Sequence, residues 1–323
     1  MDKIDKSLLE NITDLHSLTQ SAYNIRKNGE VVARNCTDNI QIVPKQDKPG
    51  IDIHIASNLK NQSLHIPVII TEGNLHDLVY NDFYIGDNTE ILIVAGCGLH
   101  NDTKESSSHQ GIHQFFVGKN CLIRYVEKHL AQGNADTQKN LNPTTIINLG
   151  QNSRFIMETT QLAGVNSSER VTEIELDDNA TMEVKESILL QNNETSSSTF
   201  SVNLNGINSR LNLISRSVSK DNSNLDFISE VYGNNQCFGH IECDAIIVGN
   251  GTVSSTPALA NLHPDANLSH EAVIGKIAGE QIIKLQTLGL TKEQVEFRDK
   301  VRDFAEREVK PIASYNDENE IFD

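Results

Sequence analysis

The densest chemistry in this chain lies in Cys237-Phe238-Gly239-His240-Ile241-Glu242-Cys243-Asp244, followed some thirty residues later by Ser269-His270-Glu271-Ala272. Thiol, imidazole and carboxylate within a few residues of one another form the mixed soft and borderline donor set that iron and sulfur require. Read as a strand, the segment alternates. Ile241, Cys243, Ala245 and Ile247 then share one face, and His240, Glu242 and Asp244 share the other. The apolar face is expected inside, which by itself makes Cys243 an ordinary buried thiol. The spacing Cys237, His240, Cys243 suggests zinc only on a helix; on a strand the two thiols diverge from the imidazole. His100, His109 and His113 surround a polar stretch after Cys97 and are expected to be solvated loop histidines. Cys36 and Cys121 sit in alternating segments and are expected to be filler.

The elements that must hold these residues are legible in the rest of the chain. Its 323 residues are 37% hydrophobic, without Trp and rich in Asn, Ser, Thr and Ile, which favours strands and turns over a helical bundle. Residues 4–27 carry Ile4, Leu8, Leu9, Ile12, Leu15 and Leu18 at helical spacing, which predicts an N-terminal helix. From Val31 onward the period changes to two, as in Ile51-Asp52-Ile53-His54-Ile55. A turn then recurs: Gly86-Asp87-Asn88, Gly118-Lys119-Asn120, Gly150-Gln151-Asn152, Asp177-Asp178-Asn179, Gly206-Ile207-Asn208 and Gly249-Asn250-Gly251, at separations of 32, 32, 27, 29 and 43 residues. Gly and Asn tolerate the left-handed backbone of a sharp corner, and this period is that of stacked supersecondary units. With no helical pattern between the turns, strand stacks on strand. That leaves a parallel β-helix, or else an antiparallel stack or β-sandwich. After Pro257, Ser269 is positioned to cap a helix with Ile274, Ile277, Ile282, Ile283 and Leu285 on one face, and Thr291 to Glu308 reads as a second helix.

Charge and cysteine usage exclude several classes. Lys and Arg number 27 against 44 Asp and Glu, a formal charge of -17, which disfavours nucleic acid and anionic lipid as partners. No apolar run reaches the roughly 20 residues of a membrane span, and Met1-Asp2-Lys3-Ile4-Asp5 is not a signal peptide, so a cytoplasmic location is expected. Five scattered cysteines do not make a disulfide framework. A carbohydrate-active β-helix would use surface carboxylates such as Glu173, Glu175 and Glu183, but no aromatic platform for sugars is evident, and a purely structural solenoid is the third reading.

Several blocks carry a family resemblance. Tyr23-Asn24-Ile25-Arg26-Lys27-Asn28-Gly29, His65-Ile66-Pro67-Val68, Val94-Ala95-Gly96-Cys97-Gly98, Tyr125-Val126-Glu127-Lys128-His129, Cys243-Asp244-Ala245-Ile246-Ile247 and Ser269-His270-Glu271-Ala272 together resemble the SufB/SufD family of iron-sulfur cluster assembly scaffolds, in its short form, over about residues 20–292. The resemblance implies a mainly β fold, a right-handed parallel β-helix flanked by N- and C-terminal α-helices. It implies three segments: 1–28 helical, 29–262 β-helix and 263–323 helical. The implied role is that of a scaffold, not an enzyme: a transient iron-sulfur cluster is built at a homodimer interface, in complex with an ABC-type Suf ATPase, a sulfur donor and apo iron-sulfur proteins. By the same resemblance Cys243 matches the cysteine on which the cluster forms, Glu271 a nearby carboxylate ligand, and His240 the histidine given by the partner subunit, with Glu242 facing the same way. Cys97 matches a persulfide acceptor. The helix from Glu271 to Leu290, with Lys276, Glu280, Gln281, Leu285 and Leu288, matches the ATPase-docking segment. From about residue 293 the chain departs from the family, and Phe297 to Pro311 resembles the opening helix of acyl-CoA dehydrogenases.

Overall fold

The structure is a computed structural model that describes residues 3–13, 21–162 and 164–276. One short helix, α1 (Lys3–Thr13), precedes the strands β1 (Ala22–Lys27), β2 (Glu30–Asn35), β3 (Ile40–Pro44), β4 (Gly50–Ile55), β5 (Gln62–Ile70), β6 (His76–Ile85) and β7 (Glu90–Asn101). Next come β8 (Ser107–Val117), β9 (Leu122–Gly133), β10 (Lys139–Leu141), β11 (Thr144–Leu149), β12 (Arg154–Gln161), β13 (Ser167–Leu176) and β14 (Thr181–Leu190). The series closes with β15 (Thr195–Leu204), β16 (Arg210–Asp221), β17 (Asn224–Gly233), β18 (Phe238–Gly249), β19 (Thr252–Asn261) and β20 (Asn267–Lys276).

From β4 onward successive strands alternate between two sheets, except that β10 and β11 follow one another in the same sheet between β8 and β13, and within each sheet they pair in parallel. This is a β-solenoid of about 8 turns, and it resolves the choice left open by the turn pattern. Only the entry is antiparallel, where β1 pairs with β2 and β3 with β4.

The recurring Asn explains the corner. Asn58, Asn88, Asn120, Asn152, Asn179 and Asn208 all have positive φ, between 54° and 63°. A left-handed residue costs roughly 1–2 kcal/mol for most side chains and less for Asn. Each Asn N–H donates to a carbonyl of the next coil, as in Asn88 to Lys119 at 2.8 Å and Asn208 to Gln236 at 2.8 Å. Side-chain amides continue the ladder, from Asn88 to Asn58 at 3.2 Å and from Asn120 to Asn88 at 3.1 Å. The 43-residue gap also has a cause. Gln236 receives Asn208 at the next corner of this column, whereas the Asn250 N–H donates to Asp221, in the opposite column.

Inside, parallel register stacks like on like. Phe83 lies over Phe115 at 4.2 Å between centroids, and Ile147, Ile174, Val202 and Val231 continue the file.

Two helical expectations need correction. Helix α1 is described over Lys3–Thr13, and residues 22–27, assigned to the same helix from sequence, form β1, which pairs with β5. Leu8 and Ile12 pack α1 against β7, where Gly96 and Gly98 leave room: an added Cβ would lie 3.1 Å from Ile12 Cβ and 3.1 Å from Leu8 Cβ. Residues 267–276, read as the start of a capped helix, are strand β20. Ser269 caps nothing; it hydrogen-bonds His240. Apolar positions at 268, 272 and 274 fit period two as well as a helix, and pairing to β18 decides between them. Glu280, Gln281, Leu285, Leu288, the Thr291–Glu308 helix and the acyl-CoA dehydrogenase-like tail lie outside the described residues.

Candidate sulfur and metal site

Strand β18 presents its residues in the predicted alternation. Cys243 is 1% exposed, between buried Ile241 and Ala245, while His240, Glu242 and Asp244 look outward. The Cys243 thiol is pushed up from its ordinary pKa by burial. Cys237 is also buried and faces the interior, away from His240, so no CxxHxxC zinc site forms. Outside, His240 Nδ1 lies 3.0 Å from Ser269 Oγ on β20. Glu242 is held below the usual carboxylate range by its hydrogen bond with Asp244 and by Arg216, 3.3 Å away, while burial and Glu242 push Asp244 up.

Glu271 is exposed two residues beyond Ser269, so pleating sends it to the same outer side as His240. Cys243 and the three predicted oxygen and nitrogen donors therefore stand on opposite faces of one sheet. His270, one residue away, points the other way, with Nε2 buried and without a partner. It is the imidazole on the thiol's side, and period two applied to Ser269-His270-Glu271 would have found it. Among the described residues no group of three His, Cys, Asp or Glu converges on one metal position.

At the other end, Cys97 on β7 is 1% exposed, and burial, with Asp77 and Glu127 nearby, raises its thiol well above the ordinary range. Two of the three histidines assigned to a solvated loop are not solvated, while His100, at the end of β7, is part-exposed and lies 2.9 Å from Asp102. His109 and His113 lie on β8, 6% and 7% exposed, facing the interior. His109 Nδ1 is 3.0 Å from Asp77 Oδ2, whose Oδ1 takes a bond from Arg26 at 2.8 Å. His113 Nδ1 is 2.8 Å from Tyr125 OH. Burial lowers the His113 pKa to about 4, so it is neutral at pH 7.

Between the two thiols runs a buried polar file that composition did not reveal. Glu127, Thr159, Glu186, Ser215 and Cys243 are successive register partners in one inward column. Cys97 and His129 are partners in the adjacent column. From the facing sheet, Arg170 binds Glu127 at 2.7 Å and approaches Glu186 at 3.8 Å. Glu186 in turn accepts from Ser198 at 2.6 Å and Ser215 at 2.7 Å. Burial alone raises the Glu127 carboxyl, but Arg170 and His129 hold it well below the usual range. Five strand spacings separate Cys97 from Cys243, about 24 Å at ~4.8 Å each.

A profile described as "SUF system FeS cluster assembly, SufBD core domain" matches residues 79–296, which include both thiols and the whole file. This chain belongs to the SufBD family. A protein named Iron-sulfur cluster assembly SufBD family protein from Archaeoglobus fulgidus is 29% identical over 274 residues, covering 82% of this chain and 71% of the relative. A protein of the same family name from Pyrococcus horikoshii is 26% identical over 279 residues, covering 82% and 81%. Iron-sulfur cluster assembly protein SufB of Bacillus subtilis is 30% identical over 91 residues, 27% of this chain and 20% of that protein. A role in iron-sulfur cluster assembly follows from family membership.

The outer surface bears on the carbohydrate reading. An exposed ring stack does exist, His54 on Tyr84 at 5.0 Å and Tyr84 on Phe116 at 5.2 Å. Its rings cover one another's faces, so edges are what a sugar would meet. Glu175, one of the candidate carboxylates, is bound by Asn203 and Asn205.

Proposed function

We propose that this SufBD protein is a non-enzymatic scaffold on which a transient iron-sulfur cluster, its cargo, is assembled at the Cys243 end of the solenoid. The continuous buried file from Cys97 to Cys243 is the observation that carries this reading: charged and hydroxylic groups have no packing reason to fill a lumen lined elsewhere by Phe and Ile. Sulfur accepted at Cys97 as a persulfide leaves it as hydrogen sulfide when an external two-electron reductant cleaves the S–S bond and restores the thiol, and the sulfide then passes along the lumen to Cys243, which the resemblance makes the cluster cysteine. Thiolate, imidazole and carboxylate hold a cluster less firmly than four cysteines do, which suits transfer to apo proteins.

The same end suits a second copy of the chain. In the described residues β19 and β20 are the outermost strands of the two sheets, and an unpaired strand edge recruits another strand. Val273 is 72% exposed and Leu262 67%. Pairing there brings His240, Glu242 and Glu271 of one protomer toward the thiol end of its twin. An ABC-type ATPase docking at and beyond Lys276 supplies the motion that opens Cys243, and the assembly works in the cytoplasm with an external sulfur donor. Anaerobic reconstitution tests the assignment. Wild type takes up iron and sulfide with charge-transfer absorption and Cys243→Ser does not; equal uptake by both overturns it.

A further inference from the structure

A void adjoins Cys97 in the lumen, walled by Gly96, His109, Gly111, His113, His129 and Pro143 among others. Its free space is ≈ 10 Å³, about what one water-sized atom occupies. Gly111 creates part of it. A Cβ there would lie 3.2 Å from His109 Nε2 and 3.2 Å from His113 Nε2, so both imidazoles aim the same nitrogen at the place where a side chain is missing. In both rings Nδ1 is already engaged, by Asp77 and by Tyr125, and neither Nε2 has a hydrogen-bond partner among the described residues. Asp77 is a pure acceptor, tied also to Arg26, so His109 carries its proton on Nδ1 and turns an Nε2 lone pair to the void. His129, the register partner of Cys97, has a buried Nδ1 without a partner as well.

We infer that this void is a receptacle for a single sulfane sulfur carried on Cys97, with Gly111 as its floor and His109 as the group that receives the displaced proton. The inference rests on the reading of Cys97 as the sulfur acceptor. One atom of free space fits the terminal sulfur of a persulfide and excludes a larger ligand. The step is balanced: the Cys97 sulfur attacks the outer sulfur of a donor persulfide, a Cys97 S–S bond forms and the donor S–S bond breaks. The electron pair leaves on the donor thiolate, and the Cys97 proton passes to His109 Nε2 and then to that thiolate. Products are a Cys97 persulfide and a free donor thiol. Donor access is assigned to the break between β10 and β11, where Asn142 and Pro143 line the void.

The full chain is incubated anaerobically with cysteine persulfide, and peptides are scored by mass for one added sulfur atom on Cys97. Wild type gains it and Cys97→Ser does not. Gly111→Ala, which puts a methyl group into the void 3.2 Å from both Nε2 atoms, loads about ten-fold less; overpacking lowers its melting temperature, so loading is compared at a temperature where circular dichroism shows both proteins fully folded. His109→Gln loads, but its persulfide shows altered near-UV absorption and yields its sulfur to cyanide several-fold faster, following loss of a hydrogen-bond partner of about 1 kcal/mol. If wild type fails to load Cys97, the sulfur-acceptor reading falls. If wild type loads, and Gly111→Ala and His109→Gln load and hold sulfur as it does, the receptacle is wrong while that reading stands.

Discussion

Arg170→Met is the sharpest test of the interior file. The guanidinium is 6% exposed at its side chain and sits between Glu127, 3% exposed and 2.7 Å away, and Glu186, 1% exposed and 3.8 Å away. Met preserves much of the volume and removes the charge, which leaves two carboxyls buried without their cation. Breaking one buried pair costs about 3–5 kcal/mol. An exposed pair such as Arg154 with Glu183 is worth about 0–1 kcal/mol, so Arg154→Met serves as the control. The pH dependence separates charge from packing. In the wild type Glu127 is depressed, so its contribution is present above the unfolded carboxylate value and is lost only as pH falls through a still lower folded one. Without Arg170, burial governs and the folded carboxyl rises above the unfolded value. Stability then carries a contribution present at low pH and lost as pH rises through the folded pKa. The deficit of Arg170→Met relative to wild type is therefore smallest near pH 5 and widens toward pH 8, by up to about 1.4 kcal/mol per pH unit. Urea unfolding followed by far-ultraviolet circular dichroism gives the totals, and amide exchange in β9, β13 and β14 places the loss, which matters because coils of a solenoid open in parts. A variant within about 1 kcal/mol of wild type at every pH refutes the claim that Arg170 compensates the buried carboxylates.

Other outcomes follow from single features. His113, neutral and buried with a pKa of about 4, has a lowered folded value, so its contribution is complete above the unfolded value near 6.5 and is lost as pH falls toward 4. That loss reaches about 3 kcal/mol, and His113→Gln has a shallower acid limb in urea titrations. Asn120→Ala, at a φ of 56° and with a 3.1 Å amide bond to Asn88, costs about 1–2 kcal/mol in urea unfolding, whereas Asn120→Gly keeps the backbone and loses only the amide bond. Val273→Lys puts a charge on the exposed edge of β20 and shifts sedimentation toward monomer while melting stays within a few degrees.

Local pattern carried the architecture because corner chemistry repeats in the chain itself. Asn88, Asn120 and Asn152 each announce a left-handed residue, and stacking then fixes register: when Phe83 meets Phe115, every neighbour on those strands is placed. The outward turn of His240 and inward turn of Cys243 followed from period two alone. Boundaries were less legible. Residues 22–27 and 267–276 carry apolar spacings compatible with either period, and only pairing to β5 and β18 selects strand.

The interior file escaped for a different reason. A charged residue in an alternating strand reads as outward, and Glu127, Arg170 and Glu186 break that rule together: each is costly in the lumen alone and tolerable only opposite the others. Arg170 lies 43 residues from Glu127 and 16 from Glu186, yet it bonds the first at 2.7 Å and stands 3.8 Å from the second. Single-strand periodicity cannot register such a compensation, because the partner arrives from the facing sheet. His109 and His113 were misplaced by the same logic: polar neighbours suggested a loop, while Asp77 and Tyr125 were waiting across the lumen. Polarity on a solenoid strand is thus an ambiguous signal of exposure until facing strands are checked for a complementary charge. Three such exceptions stacked along one lumen between two buried thiols give it a charged, hydrogen-bonded lining that neither sheet could hold without the other.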